Sequence, residues 1–332
     1  LQKCSYCRES NCSNCRNAEG IQAVKAIMYH YVRPKPEGLP YLRYLHLSDF
    51  CRQLDFFEKE YGFVEREEFV CALQTGQVPE PGVILTFDDA IADHFDYVLP
   101  ELQRRKLWGI FYIPTGVYSS GRLLDVHQLH LLLGTFGGVE IMNSINNYIT
   151  TEMLNQNYVE DFFKLPSENQ DDDTNASQVK LILNKFIQNN YRDEILEYLV
   201  GKYYDGVRST GKEFYITSEQ IKLLQKNGMI VGSHAVSHRV FSKLDIHEQE
   251  QEIRESFDYL DEVTGGLDIR TFCYPYGDKG SFNAESERLL EEAGCSFSFK
   301  VEPRNITEDD LLISRQALPR FDCNNFMFGK AS

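Results

Sequence analysis

Short apolar runs alternate with amphipathic stretches at both ends of this chain, and a long middle section breaks the alternation. Residues 24–32, Val-Lys-Ala-Ile-Met-Tyr-His-Tyr-Val, predict a strand leading into a loop rich in Pro and Gly at 33–40. Leu47-Ser48-Asp49 then opens a helix reaching about Glu60, with Phe50, Leu54 and Phe57 on one face, Phe56 widening the stripe and Gly62 as its stop. A second strand is expected over 82–88 and a third over 108–113. Between them, 92–105 reads as a helix carrying Phe95, Val98, Leu99 and Leu102, broken or kinked at Pro100.

The same rhythm resumes after residue 212. Thr217 caps a helix with Gln220 in the capping-box position, Gly228 ends it, and 229–233 is the next strand. A long charged helix over 245–264 turns Ile253, Phe257, Leu260 and Val263 inward and stops at Gly265-Gly266. Residues 270–277 form a strand feeding a tight Pro-Tyr-Gly turn. A helix over 283–293 ends at Gly294, a strand follows at 295–300, and a last strand is expected near 311–314, leading to Leu318-Pro319-Arg320-Phe321.

Strands and helices in this order predict an α/β fold with a parallel sheet or a β/α barrel. Ligands gather at the C-terminal ends of the strands in both architectures, which sets His30, Asp88, Asp89 and Thr115 on one rim. The middle section behaves differently. Residues 123–133 have helical periodicity, stretches near 148–164, 177–190 and 192–204 also read as helices, and 166–177 is an acidic, turn-rich link. The expected division is a Cys-rich segment at 1–20, a barrel built from 21–118 and 213–330, and a helical insertion or lid at 119–212.

Composition narrows the function classes. With 332 residues, 42% hydrophobic and 25% charged, the chain is that of a globular protein of one or two domains, and no apolar run approaches the length of a membrane span. A formal charge of −16 repels nucleic acid and anionic lipid at long range. The chain starts without Met or an apolar leader run, the expectation being a fragment or a processed form.

Five of the nine cysteines (Cys51, Cys71, Cys273, Cys295 and Cys323) are scattered among apolar neighbours, which leans towards a reducing, cytoplasmic setting. Cys4, Cys7, Cys12 and Cys15 are spaced C-x2-C-x4-C-x2-C. Two such knuckles suit a structural zinc; local disulfides or an unstructured tail are the alternatives. A closed four-thiolate site has no open position for catalysis.

Candidate chemistry sits at two strand ends. Asp88 and Asp89 close the run Ile-Leu-Thr-Phe, and adjacent side chains on an extended chain point to opposite sides, so the two carboxylates need separate partners, for instance a substrate water and a metal. His234 and His238 follow the strand at 229–233; four residues apart, they share one face if the backbone turns helical there, and both imidazoles then reach one ion. Two neutral imidazoles and one carboxylate leave open positions on zinc or a similar ion, a catalytic layout.

These pieces, Thr86-Phe87-Asp88-Asp89, Ser233-His234 through His238, and Phe272-Cys273-Tyr274-Pro275-Tyr276-Gly277, resemble in that order the three motifs of the polysaccharide deacetylase family, the NodB-homology or family 4 carbohydrate esterases. The resemblance covers about residues 21–325, interrupted by the insertion. It implies a deformed (β/α) barrel of the NodB type with Asp88 as general base, and Asp89, His234 and His238 as ligands of a divalent metal, zinc first and cobalt, nickel or manganese otherwise. The third motif would line the substrate groove with Tyr274, Pro275 and Tyr276, whose backbone N–H serves the oxyanion, and Thr115 stands on the same rim. The activity implied is removal of an N-acetyl group from an N-acetylated sugar or glycan.

The chain departs from that pattern twice. Cys273 stands where many members carry the Arg that orients the base; Arg320 is the candidate replacement, with Arg270 behind it. No His follows His247, so the late motif that supplies the acid is missing. His30 is the candidate acid, and His127 and His130, an i, i+3 pair in the insertion, are rivals that could close over the metal. Two other readings stay open: a cyclic amide or imide hydrolase on the same fold, and a carbohydrate-binding protein without turnover.

Overall fold

The computed structural model describes residues 23–165, 171–203 and 214–331. The four clustered cysteines Cys4, Cys7, Cys12 and Cys15 lie outside the described residues. The chain divides into two compact units, one built from the chain through Pro34, Tyr44–Ser120 and the chain from Tyr215, the other from Lys35–Arg43 and Gly121–Phe214.

Among the described residues the first unit has nine strands: β1 (Val24–Tyr29), β2 (Val32–Arg33), β3 (Leu45–His46), β4 (Gly82–Phe87), β5 (Ile110–Ile113), β6 (Ile230–Ser233), β7 (Thr271–Cys273), β8 (Phe297–Phe299) and β9 (Phe321–Asp322). Seven form one curled, parallel sheet in the order β8-β7-β6-β5-β4-β1-β9; β2 and β3 pair separately. Every residue of β1 and β4 is buried, as expected of parallel strands covered on both faces. Period-two alternation sorts their side chains. Ile27, Leu85, Phe87, Phe111 and Val231 pack with Phe50, Leu54, Phe57, Ile221 and Leu224 of the surrounding helices, whereas Ala26, Ile84, Tyr112, Ile230, Cys273 and Phe299 pack on the other face. Thr86 continues the second set, and Asp88 follows it two residues on.

The edges of this sheet share one short segment. Leu318 N–H donates to Ser298 O at 2.8 Å and Leu318 O accepts from Lys300 N–H at 2.9 Å, while Phe321 and Asp322 pair with Ile27 and Met28 of β1. Arg320 sits between the two attachments.

Local signals place most helices. Leu47–Glu60 buries Phe50, Leu54 and Phe57. Ser218–Lys226 has the Thr217/Gln220 capping box, and Ile246–Thr264 has a second one, Asp245/Glu248, with left-handed Gly265 at its end. Two expectations need correction. Residues 311–314 are not a strand: Thr307 and Asp310 form a capping box that starts the helix Glu308–Ile313, and the cap outweighs the β-leaning Leu-Leu-Ile run. Pro100 does not break its helix; the π-helical segment His94–Val98 widens the turn just ahead of it and runs on into Leu99–Arg105.

The second unit is helical: Asp125–Asn146, Val159–Phe163, Asp172–Leu181 and Asn189–Lys202. The first of these is interrupted at Gly137, where φ is 82°. A Cβ on Gly138 would stand 2.1 Å from the Asp172 carbonyl, so only glycine allows that approach. Residues 35–43 join this unit because Tyr41 N–H donates to Gly134 O at 2.9 Å and Arg43 pairs with Asp173. Among the described residues no helix is long and apolar enough to cross a membrane.

Candidate active site

Asp88 and Asp89 follow β4, and the chain turns sharply there. Asp88 N–H still bonds to Tyr29 O at 3.0 Å, but Asp89 and Ala90 have φ of 79° and 53°, a left-handed conformation that costs non-glycine residues about 1–3 kcal/mol each. The two carboxylates are therefore separated by a backbone turn, not by the alternation of an extended strand. Both are buried.

Asp88 meets Arg320. Its Oδ1 accepts from one guanidinium nitrogen and its Oδ2 from the other, both at 2.8 Å; Arg320 also reaches Thr86 Oγ1 at 2.9 Å and Cys273 Sγ at 2.8 Å. The guanidinium is 1% exposed and the carboxylate 2%. Burial by itself raises the pKa of Asp88, but the charge and hydrogen bonds of Arg320 outweigh it and pull the carboxyl down to about 2. The neighbouring Cys273 thiol is pushed well up by burial, so it stays protonated. Arg270, the second arginine candidate, is elsewhere: it binds Asp261 Oδ2 at 2.6 Å and Ala293 O at 2.8 Å.

Asp89 faces three histidines. Its Oδ1 lies 3.4 Å from His238 Nε2 and 3.6 Å from His234 Nε2, and its Oδ2 lies 3.8 Å from His30 Nε2. His234 and His238 do not share a helix face. The chain from 234 to 240 is an irregular loop in which Ala235 (φ 65°) and His238 (φ 57°) are left-handed, and these two turns bring the imidazoles together. Glu252, one face of the helix Ile246–Thr264, holds that loop: its Oε2 accepts from both Val236 and Ser237 N–H at 2.8 Å, and its Oε1 from the Ser237 hydroxyl. One turn further on, the buried Ser256 hydroxyl meets Ser233 at 2.6 Å. Thr115 contributes its backbone, N–H to Ala235 O at 3.0 Å.

This donor set suits a divalent ion. His234 Nδ1 lies 2.7 Å from the Cys273 carbonyl, which only accepts; Nδ1 therefore carries the proton and Nε2 presents its lone pair beside Asp89. Burial lowers the pKa of His234 and keeps it neutral, as a metal ligand must be. The separations of 3.4 and 3.6 Å exceed an ordinary N–H···O bond, whereas a tetrahedral zinc with bonds of about 2.0–2.1 Å sets its donors about 3.4 Å apart. Asp88, His234 and Cys273 form a second close group. There the Arg320 cation already touches both Asp88 and Cys273 and would repel an ion.

The remaining candidates scatter. His30 is 40% exposed at its side chain, on the same rim as Asp89. Tyr276, at φ 64°, sets its ring 5.1 Å from that of His238, and Pro275 before it is buried. Tyr274 is a core residue and not a groove wall: it is 1% exposed, stacks on Phe282 at 3.8 Å and donates its hydroxyl to Gln316 O at 2.8 Å. His127 and His130 belong to the second unit, where His127 is fully buried 4.9 Å from Phe214 and His130 is half-buried. The sequence alone does not single out Glu252, which reads as one more acid on a charged helix, or His94, which carries no motif of its own.

The profile of the family Polysaccharide deacetylase matches residues 186–298, which include His234, His238 and the Tyr-Pro-Tyr turn. Over that stretch the chain is similar to the polysaccharide deacetylases. The matched stretch stops short of Asp88, Asp89 and Arg320, whose place beside it comes from the geometry above. Two solved structures share its fold: the Streptococcus pyogenes deacetylase PplD in complex with acetate (TM-score 0.55, 17% identity, 90% of this chain and 92% of that one) and IcaB from Ammonifex degensii (TM-score 0.51, 16% identity, 90% and 91%). No curated protein matches the sequence.

Proposed function

We propose that this protein is a polysaccharide-deacetylase-type enzyme, a metal-dependent N-deacetylase of an N-acetylated sugar or glycan. One observation carries the reading: a carboxylate held ionised by Arg320 lies next in sequence to a buried carboxylate that faces two imidazoles at ligand spacing. That the fold relative PplD is a deacetylase solved with acetate, a product of such a reaction, supports it.

Asp89, His234 and His238 would hold the ion. A divalent ion so held, zinc being well suited to this donor set, supplies Lewis-acid polarisation of the acetamide carbonyl and lowers the pKa of water. Asp88 takes one proton from the attacking water as its oxygen bonds to the acetamide carbon. Arg320, spanning both oxygens, keeps the carboxylate oriented and charged. The backbone N–H of Tyr276, in the left-handed turn beside His238, donates to the oxygen of the tetrahedral intermediate. When the carbon–nitrogen bond breaks, His30 gives a proton to the departing amine, and acetate and the free amino sugar are the products.

The test is acetate release from N-acetylated oligosaccharides by zinc-loaded protein, with Asp88→Asn as the control. Loss of turnover by two orders of magnitude or more, with metal content retained, is expected for a lost general base. Turnover unchanged in Asp88→Asn sinks the reading, and ring opening of a cyclic amide without acetate release would favour the imide hydrolase.

A further inference from the structure

His94 is a buried histidine with no part in the reaction above. It opens the π-helical segment His94–Val98, is fully enclosed, and packs edge-on to Phe87 at 5.6 Å and Phe111 at 5.9 Å. Its Nε2 lies 2.8 Å from the backbone carbonyl of His30. A carbonyl oxygen only accepts, so Nε2 carries the proton. Nδ1 has no hydrogen-bond partner. Enclosing such an atom costs about 1–3 kcal/mol, a cost that phenylalanine among these rings would not incur. What the imidazole adds is the N–H for His30.

The residue before it grips the same segment. Asp93, 5% exposed, accepts from Arg33 Nε at 2.7 Å and from the Val32 backbone N–H. Two successive residues thus hold three points of the four-residue stretch His30–Arg33. That stretch leaves the sheet after β1 and carries the His30 ring to 3.8 Å from Asp89. At 40% side-chain exposure the ring gains little from packing of its own, so its place depends on the backbone beneath it. A π-helical turn is uncommon and recurs near functional sites; here it begins at the residue that reaches the His30 carbonyl.

We propose that Asp93 and His94 are positioning residues that fix the His30–Arg33 backbone and thereby hold the His30 imidazole beside Asp89. The inference rests on the reading of His30 as proton donor, and its test separates the two. His94→Phe keeps an aromatic ring and removes the donor; in zinc-loaded protein it lowers kcat by about tenfold or more with KM nearly unchanged, as expected for a misplaced reacting group. His94→Gln, whose amide can reach the same carbonyl, recovers most of that loss. In a His30→Ala background His94→Phe adds nothing further, the non-additivity expected when one residue acts through the other. Independently of turnover, the His30 ring signal in NMR spectra, assigned by its loss in His30→Ala, shifts or broadens in His94→Phe.

If His30→Ala leaves kcat intact, the proton-donor reading fails and the NMR signal alone decides the clamp. An unchanged His30 signal in folded His94→Phe protein overturns the proposal, as does a loss fully additive with His30→Ala. Should His94→Phe not fold, Asp93→Asn, which keeps the shape and removes the charge opposite Arg33, is read by the same two measurements.

Discussion

Arg320 and Asp88 face each other through two parallel hydrogen bonds of 2.8 Å, although 232 residues separate them in the chain. A bidentate, fully enclosed pair does more than a surface bridge: it orients the carboxylate and fixes its charge. Removing one partner leaves an uncompensated buried charge. Arg320→Ala should lower stability to chemical denaturation by about 3–5 kcal/mol and reduce kcat together with kcat/KM.

Cys273 lies within 2.8 Å of the same guanidinium and 3.6 Å from Asp88 Oδ2. An arginine entering from β7 would therefore arrive at the same carboxylate. The double variant Cys273→Arg with Arg320→Ala should regain part of the stability and turnover lost in Arg320→Ala alone. No recovery in either measurement would mean that the direction from which the cation comes matters, and not only its charge.

Metal content tests the ligand set directly. His234→Ala, His238→Ala and Asp89→Asn should each leave purified protein with little bound zinc by elemental analysis, whereas Asp88→Asn should keep it. Zinc retained at wild-type stoichiometry in all three variants would place the ion elsewhere.

Glu252 holds the two left-handed turns between the ligands without touching the ion's donor atoms. Supporting groups of this kind commonly account for 10–100-fold in metal affinity. Glu252→Ala should weaken zinc binding in that range, roughly tenfold or more in a competition titration, while Glu252→Gln, which still accepts one backbone bond, loses less.

The enclosed His94 also makes stability pH-dependent. It packs against Phe87, Phe111 and the His30 carbonyl, and burial pulls its pKa from 6.5 to about 4 against the opposing effect of the His30 carbonyl and the Asp89 and Asp88 carboxylates. The folded pKa is depressed, so the unfolded chain binds the proton first as pH falls. The stability involved is fully present above about pH 6.5 and is lost progressively down to about pH 4, amounting to roughly 3 kcal/mol. Denaturation midpoints of metal-free protein should fall over that window and fall less steeply in His94→Phe. Parallel curves for the two proteins would show that His94 is not the group responsible.

Much of the fold was legible because its causes are local. Short apolar runs announce β1 and β4, the Thr217/Gln220 box announces its helix, and Asp88, Asp89, His234 and His238 stand at strand ends, where parallel sheets gather ligands. Local signals misled where two competed, as at 311–314, where a cap overruled β-leaning side chains. They also misled where aromatic residues in a motif looked functional, as with Tyr274, whose ring and hydroxyl are both spent inside the core.

By itself the sequence determined which residue types stand at which strand ends, because strand and helix periods depend on neighbours a few positions apart. Only the tertiary structure decided that Arg320 and not Arg270 meets Asp88, because the segment Leu318–Asp322 must first join β8 to β1. Only the tertiary structure turned Asp89, Ala235 and His238 left-handed, against their own preference. Such conformations persist where surrounding contacts hold them, here Glu252, the Cys273 carbonyl and the backbone of Thr115, all remote in sequence.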